Sequence, residues 1–216
     1  MCDKKNPPIE LNNEQVVNAH FVYLCDAGTL PLISKNHFQR IVEMGDAAVQ
    51  ALMEILDGGH LNATIWAKAL LNKLEPASIG NRCIEDDLMD GYEERDDWSN
   101  AIAIRAIYLS ASKEDRFNFL KHLVAGKYGL EMYVASLMEF ARIDSGFTEN
   151  FLVAYILAKH CDDQIAATEE AIKLLSINAV RELSSRAINV LHDVSIDSEN
   201  LTIRRLASQF LRESGK

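Results

Sequence analysis

The residues in this chain whose types and spacing could do chemistry are carboxylates. Between Glu85 and Asp97 stand eight acids, Glu85, Asp86, Asp87, Asp90, Glu93, Glu94, Asp96 and Asp97, against one base, Arg95. That window holds a net −7 of the chain's −10. Such a run can dock a basic protein surface, hold a divalent cation, or serve as a solvated connector that keeps the protein dispersed. Asp86, Asp90, Gly91 and Asp97 fall at positions one, five, six and twelve of a calcium loop. Position three is Leu88, which has no oxygen to give, and position twelve is Asp where a bidentate Glu is usual. The spacing therefore argues against calcium, and no cofactor or metal is expected.

His160, Cys161, Asp162 and Asp163 are neighbours at a predicted helix end. A metal needs three or four ligands converging from separate segments, and adjacent helical side chains point apart. A histidine beside the last helix carbonyls explains the run without chemistry. The remaining histidines, His20, His37, His60, His122 and His192, lack His-Glu-x-x-His spacing, and several, such as His20, fall on apolar faces and read as core-edge residues. Gly58-Gly59 and Gly126-x-x-Gly129 lie between predicted helices and lack the Lys-Ser/Thr of a phosphate loop. No Gly-x-Ser-x-Gly elbow occurs. For contact with a partner the candidates are the eight acids, Trp98 as an aromatic anchor, and Arg204 and Arg205 as a carboxylate clamp. A net charge of −10 opposes nucleic acid as that partner, because nucleic-acid binding rests on a basic patch.

The elements that must position these residues are helices. The 216 residues are 48% hydrophobic and 25% charged, ordinary globular composition, with only 4 Pro and 10 Gly to turn the chain. The opening MCDKKNPPIE has no apolar core for a signal peptide, and no apolar run is long enough to span a bilayer. Cys2, Cys25, Cys83 and Cys161 are scattered, so reduced thiols in a cytoplasm are expected, with no membrane association.

Apolar residues at i, i+3/i+4 predict a helix over residues 9–25, ended at Gly28, and a second over 34–43 with Ser34 as its N-cap. Val49, Leu52, Met53 and Leu56 form the stripe of the next, stopped by Gly58-Gly59. Ile65, Ala69, Leu70 and Leu74 form that of its partner, starting at Asn62 and closed by Pro76. Downstream the spacing predicts helices over 98–110, 113–125, 130–143, 148–160, 164–176, 179–194 and 201–213. No stretch alternates with period two, so no sheet is expected.

Helix pairs recurring every 30 to 40 residues suggest a helical array. Gly45-Asp46-Ala47-Ala48-Val49-Gln50-Ala51-Leu52 with Ile65-Trp66-Ala67-Lys68-Ala69-Leu70 resembles a HEAT-type repeat, although Trp66 stands where that family has Arg. Ile203-Arg204-Arg205-Leu206-Ala207 is similar to the second helix of such a pair, and Ile104-Arg105-Ala106-Ile107 is a fainter echo. The resemblance implies an all-α fold of stacked antiparallel helix pairs, a short α-solenoid, and an exposed helical surface that binds protein. It implies no chemistry. The alternative is an irregular multi-helix bundle. Residues 1–216 are expected to form one domain, with an acidic, irregular connector at about 76–97 that fits no repeat.

The expected function is a non-catalytic protein–protein interaction module. The alternatives are an acidic neutraliser of a basic protein such as a nuclease, and an enzyme whose site is not readable from spacing. Removal of alkylated bases from DNA, known for some helical-repeat proteins, needs a cationic groove, and the charge balance opposes one.

Overall fold

The computed structural model describes residues 11–26, 29–75, 84–125, 127–159, 165–178, 183–213 and 215. Among them are twelve α-helices, a single 3₁₀ turn and no strand. Packing divides the chain into two compact units, Met1–Ala111 and Ser112–Lys216. No shift in composition marks the junction.

The first unit contains α1 (Asn13–Cys25), α2 (Pro31–Met44), α3 (Asp46–Gly58), α4 (Leu61–Leu74), α5 (Ile84–Met89) and α6 (Asp97–Ser110). The start of α1 follows from Asn12, whose side chain accepts from the Gln15 amide while Gln15 reaches back to the Asn12 amide. The second helix begins three residues before Ser34. Pro31 takes the first helical position, where its missing N–H is no loss. Ser34 is thereby buried inside the helix, and its hydroxyl has no partner. Gly45, at φ 57° and ψ −137°, turns the chain from α2 directly into α3, a conformation that penalises any Cβ.

At the centre lies α4, packed against α1, α2, α3, α5 and α6. Ile65, Trp66, Ala67, Ala69, Leu70 and Leu71 are all buried, so apolar residues cover more than one face of this helix. Trp66 is fully buried and stands 6.0 Å from the Phe38 ring. Its indole N–H donates to the Leu24 carbonyl at 2.7 Å, satisfying an acceptor that α1 leaves open at its C-terminal end. The buried Arg105 of α6 donates to the Thr29 carbonyl at 2.9 Å, on the far side of the same α1–α2 turn.

Across α1 and α2, His20 Nδ1 and His37 Nδ1 lie 2.8 Å apart, and Tyr23 stacks on His37 at 4.3 Å. The contact needs one protonated and one bare Nδ1, so it cannot survive protonation of both rings.

The second unit contains α7 (Lys113–Val124), α8 (Gly129–Ile143), α9 (Ser145–Lys159), α10 (Ile165–Asn178), α11 (Ser185–Asp197) and α12 (Leu201–Glu213). Consecutive helices pack as neighbours from α7 to α10, α9 also meets α11, and α12 packs on α11 and α10. Phe119, Tyr133, Phe140 and Leu152 are fully buried among them. A capping box at Ser112 and Asp115 starts α7, and Ser184 caps α11 while holding Glu149 of α9. The run His160–Asp163 lies outside the described residues, as do Gly28, Pro76 and residues 179–182 at the start of the helix predicted over 179–194.

Trp66→Phe keeps a six-membered aromatic ring but removes the donor together with the five-membered half of the indole. The buried Leu24 carbonyl is then orphaned and a cavity opens beside it, so stability measured by urea denaturation should fall by at least about 1–3 kcal/mol. An unchanged midpoint would show that the bond contributes nothing.

The histidine pair predicts a pH dependence. Burial and the neighbouring His20 push the His37 pKa below its ordinary 6.5, so the unfolded chain binds the proton more readily. The contribution is whole above pH 6.5 and is lost as the pH falls through the lower, folded value. Between about pH 7 and about pH 5 the wild type should lose more stability than His20→Gln/His37→Gln does. Parallel losses in the two proteins would remove the pair as a cause.

Candidate functional site

The acidic stretch expected to be an irregular connector is built, over its described part, from two helices and a tight turn. Ile84, Leu88 and Met89 are buried and seat α5 against α4 and α6. Three acids, Glu85, Asp86 and Asp87, occupy its first turn, where the helix dipole favours negative charge. Gly91, at φ 69°, ends α5 in the left-handed conformation, and Tyr92–Glu94 form a 3₁₀ turn.

Arg95, the one base of the window, reaches back over that turn. Its guanidinium donates to the Leu88 carbonyl at 2.6 Å and to the Asp90 carbonyl. Burial lowers the Arg95 pKa and nearby Asp90 raises it; the group stays a cation. The amide of Asn100 fastens the turn to α6 by donating to the Tyr92 carbonyl at 3.0 Å. Asp96 caps α6, accepting from the Ser99 amide at 2.7 Å. This bond holds its carboxyl below the usual carboxylate range.

The eight acids thus take different roles. Glu85 is buried, with 3% of its surface exposed. Asp87 pairs with Lys68 of α4 at 3.0 Å, a partly buried bridge between helices. Asp96 works as a cap. Asp86, Asp90, Glu93, Glu94 and Asp97 are exposed, and Trp98 on the first turn of α6 is 37% exposed beside them. With the exposed cap Asp96 they make an acidic edge of six surface carboxylates and one indole, in which Glu93 accepts from the Tyr92 hydroxyl at 3.0 Å.

The calcium-loop spacing does not become a loop. Asp86 lies within α5, Leu88 is buried, and the Asp90 carbonyl is held by Arg95. No group of three or more His, Cys, Asp or Glu side chains able to hold a metal occurs among the described residues.

Arg204 and Arg205 belong to the second unit. Arg204 donates through Nε and Nη2 to the Ser198 carbonyl at 3.1 and 2.7 Å, tying the start of α12 to the end of α11. Its guanidinium is thus engaged at a carbonyl, whereas Arg205 is exposed. Spacing alone did not reveal Lys68 and Asn100 as partners of the acidic stretch.

No described helix is long and apolar enough to cross a membrane. Family models, curated proteins and solved structures offer no match to this chain.

Asp96→Ala removes the α6 cap and should clearly lower stability in a urea titration. The neighbouring Asp97→Ala should change it by less than about 0.5 kcal/mol, as surface substitutions usually do. Equal effects at the two positions would contradict the division into structural and displayed acids.

Proposed function

We propose that this chain is a non-catalytic protein-binding module, and that the exposed acids of α5, the following turn and α6 dock a basic surface of its partner. The observation that carries the reading is the engagement of Arg95. The only cation within the window donates to the Leu88 and Asp90 carbonyls, while Glu93, Glu94 and Asp97 stand exposed around it. Trp98 supplies the large, rigid side chain that usually anchors such contacts. Charge of one sign over a small area also speeds encounter with an oppositely charged surface.

The likeness of Gly45–Leu74 and Ile203–Leu211 to HEAT repeats agrees with a binding role, since stacked helix pairs offer extended surfaces. Four scattered cysteines fit a reducing compartment such as the cytoplasm.

The test is affinity capture from an extract of the native organism, comparing wild type with Asp86→Asn/Asp90→Asn/Glu93→Gln/Glu94→Gln/Asp97→Asn. Glu85, Asp87 and Asp96 stay untouched because they serve the fold. A basic protein held by wild type at about 0.1 M salt should be lost from the neutralised variant, and from wild type at about 0.5 M. Trp98→Ala should weaken the same complex by about tenfold or more. A partner retained by the neutralised variant at low salt would contradict the proposal.

A further inference from the structure

We draw no further inference here: the strongest candidate, the His20–His37 side-chain pair between α1 and α2, belongs to no group of three metal-ligating side chains among the described residues, and its response to pH already follows from the fold.

Discussion

The first unit depends on one buried hydrogen bond, from the Trp66 indole to the Leu24 carbonyl. Each helix ends with carbonyls that have no partner within it, and burying one unpaired is expensive. Here the end of α1 is buried against α4, and Trp66 supplies the donor from the centre of that helix. Arg105 answers the same need from α6 at the Thr29 carbonyl. Two donors, from two helices far along the chain, thus fix both sides of the α1–α2 turn. A purely apolar α4 would pack α1 without telling it where to stop.

This arrangement explains how an acidic edge can be displayed on a stable support. Each acid that holds structure does so against a specific partner: Asp87 with Lys68, Asp96 with the Ser99 amide. The remaining exposed carboxylates lie on α5, on the turn and on α6, and these elements are held by the apolar contacts of Ile84, Leu88 and Met89 and by Arg95.

Helical periodicity made most of the fold legible, and the span 201–213 is the same in sequence and structure. Local chemistry was less reliable at the ends. Ser34 looks like a cap, yet Pro31 starts the helix earlier, because a fixed φ and an absent N–H suit the first position equally well. Contacts between distant segments were not legible. Trp66 is recognisable as a departure from the repeat pattern, but its acceptor lies 42 residues away. His20 reads as a core-edge residue, and nothing in its spacing announces His37. In the acidic stretch the carboxylates were evident from composition. Which of them are buried, paired or displayed depends on a short helix, α5, whose six residues are too few for periodicity to reveal.

Native-state hydrogen exchange along the first unit measures its central dependence most directly. If α4 is the element on which the others rest, amides near Trp66, Ala67 and Leu70 should open only with global unfolding and exchange slowest. Those of α5 should exchange sooner, through local openings that leave α4 protected. An α4 that exchanges as fast as α5, with protection concentrated elsewhere, would contradict the account.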